Sequence, residues 1–406
     1  MLGAIVSPTD PLAATAIARR LGVPRRVVTI IEGESLVNDG TALVAYRVAV
    51  AAAAGGAFTL WGAGLEFVLS AAGGVAVGLV VGWAASAIRR RLDDTPVEIV
   101  VSLVTGYAAY VPAEELGVSG VLAAVTAGIY VGWRAPEIAS ANTRLVGFGL
   151  WEVLVFFLNA ILFILVGLQL PAILDDLAGR PSGSLLATTA AVGGVVIGVR
   201  MLWMHTVPYV IRVLDRRPGQ SARRAGWRPR TVIGWSGMRG AVSLAAALAL
   251  PLDFPERDLI LFLTFAVIFL TLVVQGLTLP PLIRLLGVRD DGAEDREEVR
   301  ARLEAAKAAL ARLDGLGEEE WTRDETVERM RGLYGYRLRR FSVRAGKLED
   351  EDGIEDRSTA YQLMVRSVIE AQRESIVRLR NEGVISNDVM HRLERELDLE
   401  EARLEI

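Results

Sequence analysis

Nine apolar stretches fill the first 288 positions of this chain: 2–18, 28–52, 58–88, 97–112, 118–133, 147–170, 185–210, 231–252 and 258–284. A helix that crosses a bilayer needs about 20 mostly apolar residues, and most of these stretches reach or approach that length. The backbone polar groups of a segment in lipid must be satisfied within the segment itself, so the expected fold class is all-α, a polytopic helical membrane protein. Glycine and proline inside several stretches fit the same reading, because membrane helices tolerate them.

Charge divides the chain. Residues 1–288 carry 22 Arg, no Lys and 18 acids, whereas residues 289–406 carry 22 basic and 30 acidic residues. Two domains are expected: a membrane domain over 1–288 and a charged tail over 289–406, rich in helix formers such as 296–313 and 360–404, read as a soluble helical domain. Arginine marks every second loop: Arg19, Arg20, Arg25 and Arg26 after the first span, Arg89, Arg90 and Arg91 after the third, Arg134 and Arg144 after the fifth, and Arg212, Arg216, Arg217, Arg223, Arg224, Arg228 and Arg230 after the seventh. The intervening loops hold only Arg180 and Arg257. By the positive-inside rule the arginine-rich loops and the tail are cytoplasmic. The first span begins at Met1 with neither a basic leader nor a cleavage site, which suggests that natural N-terminal spans are missing.

Four polar clusters interrupt the apolar runs, and ionisable groups in lipid are functional candidates by default. In Ser7-Pro8-Thr9-Asp10-Pro11, two prolines free backbone carbonyls beside a hydroxyl and a carboxylate. This is either an unwound cation site of hard oxygens or a kinked helix start capped by Asp10. In residues 32–40, Ser35 and Asp39 stack at i, i+4, as do Glu34 and Asn38, giving two adjacent polar stripes; a polar loop is the alternative. Arg200, deep in the seventh span, wants a buried acid, with Glu34 the natural partner; snorkelling to the interface is the alternative. In residues 235–243, two glycines flank Arg239, which reads as a second broken helix or as a small-residue packing face. Paired interrupted helices in separate halves are the sequence pointer to an inverted-repeat transporter site.

Other features exclude functions. There is no cysteine and there are only two histidines, His205 and His391, so thiolate and His-pair metal sites are excluded and any protons moved through the membrane must ride mainly on carboxylates. No Walker motif supports direct use of ATP. Glu114 and Glu115 fit a loop, Glu152 and Asn159 fit lateral helix contacts, Gln169 and Gln275 fall near span ends, and Gly73-Gly74 and Gly193-Gly194 read as close packing.

The ordered set SPTDP, GESLVNDG, a buried Arg and GMRGAVS resembles the monovalent cation/proton antiporters, the branch of bacterial and eukaryotic sodium/proton exchangers, over residues 1 to about 288. The resemblance implies that Asp39 carries the ion or the proton, with Thr9, Ser35 and Asp10 as further ion ligands. It implies that Glu34 and Arg200 form a structural ion pair, with Asn38 and Arg239 in support. It implies Na+ (or Li+ or K+) and H+ as the transported ions, a homodimer in the cell membrane, no cofactor, no enzymatic chemistry and no nucleic-acid partner. Family members carry three or four further spans before the TDP segment. Burial favours the protonated form of a carboxylate and a cation held by oxygens favours the charged form, so competition at one acid suffices for exchange. With Asn38 in place of a second acid, the resemblance implies one-for-one, electroneutral exchange with alternating access. A cation channel, and a transport-inactive sensor or scaffold whose tail carries the function, are the readings from other classes.

Overall fold

The computed structural model describes residues 1–53, 60–175, 181–214, 226–290, 292–350 and 352–404. Among them every regular element is helical. The chain divides into two compact units, Met1–Asp290 and Asp291–Ile406.

In the first unit each expected span has a counterpart. The first is split into α1 (Leu2–Ile5) and α2 (Leu12–Arg20) around an irregular segment over 6–11. There follow α3 (Arg25–Ala53), α4 (Leu60–Arg89), α5 (Thr95–Glu115), α6 (Gly120–Ile138), α7 (Ala141–Asp175) and α8 (Ser182–Leu214). The eighth span is split into α9 (Trp227–Trp235) and α10 (Ala241–Leu248). The ninth runs as α11 (Arg257–Leu270), a π-helical turn (Thr271–Gln275) and α12 (Gly276–Leu286), and ends on Gly287 in the left-handed region, the usual glycine stop of a helix.

Among the described residues, five helices are long and apolar enough to cross a membrane: Gly64–Arg89, Thr95–Glu115, Ala141–Gln169, Gly183–Ile211 and Arg257–Leu286. The other four of the nine expected spans are the two split ones, α3, which carries Glu32, Glu34, Asp39 and Arg47, and α6, which carries Arg134 and Glu137 near its end. The residues that break or charge these four are largely the ones that make the chain more than a bundle of greasy helices. Of the loop arginines, Arg180, Arg216, Arg217, Arg223 and Arg224 lie outside the described residues. Arg19, Arg20, Arg25, Arg26, Arg89, Arg134, Arg144, Arg212, Arg228, Arg230 and Arg257 belong to helices, not loops.

Two apolar clusters flank the split helices. One joins Ala14 and Ala18 of α2, Val28 and Ile31 of α3, Ile233 of α9 and Leu279 and Ile283 of α12. The other joins Ile5 of α1, Ala246 and Ala247 of α10 and Leu261 and Val267 of α11. The first half of each split helix thus packs with the second half of the other. The two breaks cross between the clusters, where backbone groups without helical partners are away from lipid. Elsewhere α4 lies tight on α6. A Cβ on Gly78 would sit 2.4 Å from the Ala123 carbonyl, and Gly74 and Gly82 face α6 in the same way, a small-residue seam at i, i+4, i+8.

The second unit holds α13 (Ala293–Leu316), α14 (Asp324–Arg344), α15 (Ile354–Asn381) and α16 (Asn387–Ala402). Leu303, Ala306 and Leu313 of α13 are buried, as are Val327 and Phe341 of α14, Ile354 and Ile369 of α15, and Met390 and Leu397 of α16. Salt bridges lace the surface, among them Glu355 with Arg340 and Arg344, and Arg373 with Asp398 and Glu401.

Candidate functional site

The site begins with what the prolines do. A helix through residues 7–12 would donate the N–H of residue 11 to Ser7 O and that of Leu12 to Pro8 O. Pro11 has no N–H, and Leu12 N–H instead donates to Asp10 Oδ1 at 3.0 Å. The two freed carbonyls are the ones that Arg239 takes: its Nη1 donates to Ser7 O and, at 3.1 Å, to Pro8 O. Arg239 comes from the second break, residues 236–240, and its own N–H donates to Thr271 Oγ1 at 3.1 Å. The two breaks are also joined by their backbones, with Asp10 N–H donating to Met238 O at 2.8 Å. Gly240 lets them approach, since a Cβ there would fall on Asp10.

Against this crossing lies the middle of α3. Thr9 Oγ1 and Ser35 Oγ, both buried, are 2.9 Å apart, and Asn38 Nδ2 donates to Thr9 Oγ1 at 3.4 Å. One turn beyond Ser35, Asp39 has a buried Oδ1 that no protein group reaches, and Asp10 is close enough to act on it electrostatically. Hydroxyl and carboxylate oxygens therefore gather beside the crossing of the two breaks, hard-oxygen groups of the kind that suit a small cation. The structure brings Thr9, Ser35 and Asn38 into direct contact and places Asp39 and Asp10 beside them. Asn38 turns to the first break, while Glu34, one turn earlier on the same stripe, turns to α8.

There Arg200 meets Glu34 in a two-pronged pair, Nη1 to Oε1 at 2.8 Å and Nη2 to Oε2 at 3.0 Å, with side-chain exposures of 9% and 21%. Arg200 also donates to Gly234 O at 3.1 Å and Ile233 O at 3.3 Å, the carbonyls that end α9. Gly237 makes room, because a Cβ there would lie 2.2 Å from Arg200 Cδ. Arg200 thus ties α3, α8 and the end of α9 together just before the second break.

The settings of several polar groups were not legible. Gln275, read as lying near a span end, sits in the π-helical turn midway along the unbroken run from Arg257 to Leu286 and has no exposed surface. Glu114 and Glu115, read as loop residues, are the last two residues of α5, and Glu114 pairs with Arg47 of α3 and accepts Gly120 N–H at 3.0 Å. Glu98, 1% exposed, accepts from Thr143 Oγ1 at 3.1 Å and lies 3.7 Å from the buried Arg89 guanidinium. The Trp-Arg-Pro-Arg start of α9 places Thr231 Oγ1 3.2 Å from His205 Nε2. Among the described residues no group of three or more His, Cys, Asp and Glu gathers as a resident metal centre.

A family model described as sodium/hydrogen exchanger, transmembrane, matches residues 1–285. The chain belongs to the sodium/hydrogen exchanger family. Members of that family are transporters, and the several apolar helices fit a multi-pass membrane protein. Among the exchangers it resembles, an uncharacterized Na+/H+ exchanger of Mycobacterium tuberculosis is 36% identical over all of this chain and 76% of its own length. The Na+/H+ antiporter NhaP of Pseudomonas aeruginosa is 38% identical over 70% of this chain and 65% of its own. The solved sodium proton antiporter MjNhaP1 of Methanocaldococcus jannaschii superposes with a TM-score of 0.53 at 20% identity, covering 70% of each chain, a likeness of fold. The all-α architecture with paired broken helices is that of the sodium/hydrogen exchangers.

Proposed function

We propose that this protein exchanges Na+ for H+ across the cell membrane, one for one, by alternating access around the single carboxylate of Asp39. The observation that carries this reading is the Asp39 oxygen left without a protein partner beside Thr9, Ser35 and the two crossing breaks. Relatives named as Na+/H+ antiporters support the choice of ions.

In this reading a proton or a cation occupies Asp39, and Thr9, Ser35 and Asp10 supply further oxygens to the cation. Glu34–Arg200 and Arg239 hold the framework and carry no cargo. Asn38 adds no charge, so one Na+ replaces one H+ and no net charge moves. Li+ and K+ are the competing cargoes. The chain works as a homodimer, with residues 1–288 as the transport domain and 289–406 as a cytoplasmic regulatory tail.

The test is Na+-driven pH change in proteoliposomes, repeated with the membrane potential set by K+ and valinomycin. Exchange at a rate independent of the imposed potential supports one-for-one exchange; a rate that follows the potential rules it out.

A further inference from the structure

One buried stripe enters the site as described only through Thr271. Thr264, Thr271 and Gln275 stand at i, i+7 and i+11 along the Arg257–Leu286 run, a spacing that puts them on one helix face. All three are without exposed surface. Their neighbours locate that face. Thr271 Oγ1 accepts the Arg239 N–H, and a Cβ on Gly276 would lie 3.8 Å from Met238 Sδ. The Thr271–Gln275 end of the stripe therefore lies along the second break.

Its polar atoms are unusually unmatched. Both amide atoms of Gln275 and the hydroxyl of Thr264 are buried with no protein partner, and so is Nε of Arg239. Buried polar groups of a native protein are almost always hydrogen-bonded, to protein or to ordered water. An amide with one donor and one acceptor end suits water, which both donates and accepts. A cation fits less well, because only one of the two ends offers an oxygen and the stripe holds no carboxylate. The π turn at this point is a further mark, since single π turns inside helices gather at functional sites.

We propose that Gln275 binds ordered water between the Arg257–Leu286 run and the second break, and through that water fixes the shape of residues 236–240. Gln275 is then a positioning residue. It does not touch the cargo ion; it holds the segment whose Arg239 in turn clamps the carbonyls of Ser7 and Pro8. The role in transport rests on the ion-exchange reading above, whereas the water site does not.

Met238 supplies the test. It is wholly buried and adjoins the stripe, and X-ray radiolysis of bound water generates hydroxyl radicals that oxidise an adjacent methionine sulfur however deeply it lies. In native protein in nanodiscs, Met238 is expected to be modified fast for a residue with no solvent exposure, and in Gln275→Leu several-fold more slowly. Gln275→Ser, which keeps a polar group and opens room, should retain fast modification if Gln275→Leu does not fold. Slow modification of Met238 in the native protein overturns the water site outright, as does an unchanged rate in a folded Gln275→Leu. In proteoliposomes Gln275→Leu is expected to raise the KM for Na+ more than it lowers kcat. A slowed modification with unchanged KM overturns the positioning role and leaves the ion-exchange reading standing. Fast native modification in a protein that transports nothing overturns that role too, with the ion-exchange reading, and keeps the water site.

Discussion

A methyl group on Gly240 would collide with Asp10: a Cβ at that position lies 2.1 Å from Asp10 Oδ2 and 2.6 Å from Asp10 Cβ. Asp10 has little freedom to retreat. Its N–H is bound to Met238 O and its Oδ1 to Leu12 N–H, and its side chain has only one methylene. Gly240→Ala is therefore expected to push the two breaks apart. Overpacking of this kind costs about 1–3 kcal/mol, and the displaced carboxylate and carbonyls lie beside the proposed ion site. The measurement is thermal stability in detergent together with Na+-driven exchange. Gly64→Ala, where a Cβ meets nothing, serves as the control and is expected to behave as native.

Arg239 is the cation that answers the first break. Arg239→Ala leaves the Ser7 carbonyl without this donor and the Pro8 carbonyl with only the 3.5 Å bond from Ser243 Oγ, at a cost of about 1.5–3 kcal/mol for each charge-assisted bond removed. Arg239→Lys keeps the charge but loses the planar fork, and is expected to recover part of the stability and less of the transport. Equal melting temperatures for native and Arg239→Ala protein would contradict the clamp.

Glu34 and Arg200 are expected to behave as a unit, but not a symmetric one. Removing either partner leaves a buried charge uncompensated, a loss of about 3–5 kcal/mol. Arg200 also serves Gly234 O and Ile233 O, so Arg200→Leu should lose more than Glu34→Leu. A thermal-stability double-mutant cycle with both residues replaced should recover much of the loss from the Glu34 change alone. Additive losses would mean that the two do not couple.

In the tail, burial alone would raise the carboxyl of Glu355, but hydrogen bonds from Arg344 and Arg340 outweigh it and hold it below its ordinary value. The sign follows from linkage: a carboxyl depressed in the folded state contributes stability above its unfolded value, about 4.3 for glutamate, and loses it as pH falls through the folded value. The junction of α14 and α15 is expected to keep its hydrogen-exchange protection, corrected for intrinsic rate, from neutral pH down to that region and to lose it below. In Arg344→Ala the loss should begin at higher pH. Identical profiles for the two proteins would show that the pair does not stabilise the junction.

What the sequence reveals and what it hides divide along physical lines. The all-α class, the elements behind nine spans and both helix breaks were readable because proline, glycine and apolar run length act locally. Glu34 with Arg200 was readable because a charge at that depth needs a partner and few candidates exist. The contact of Gly240 with Asp10 was not, because 230 positions separate residues that only the crossing brings together. Nor was the burial of Gln275, because the π turn that carries it inside the Arg257–Leu286 run leaves no turn or breaker signal. Arg89 looked like a loop cation, and only the packing of α4, α5 and α7 makes it a buried partner of Glu98.

Competition at one site makes a kinetic statement as well. If Asp39 takes either a proton or Na+, the apparent KM for Na+ rises as pH falls, and saturating Na+ restores the rate. A KM for Na+ that stays constant across the range where the rate changes would move the proton dependence away from Asp39, to a separate regulatory group.

The most direct test is Asp39→Asn, which keeps the shape of the side chain and removes its titration. Native protein and variant, matched for thermal stability and reconstituted at equal density, are compared for pH change inside proteoliposomes after a pulse of external Na+. A Na+-dependent pH change in the native protein and none in Asp39→Asn is the predicted result; exchange at the native rate in Asp39→Asn would contradict the assignment of the transported proton and cation to this carboxylate.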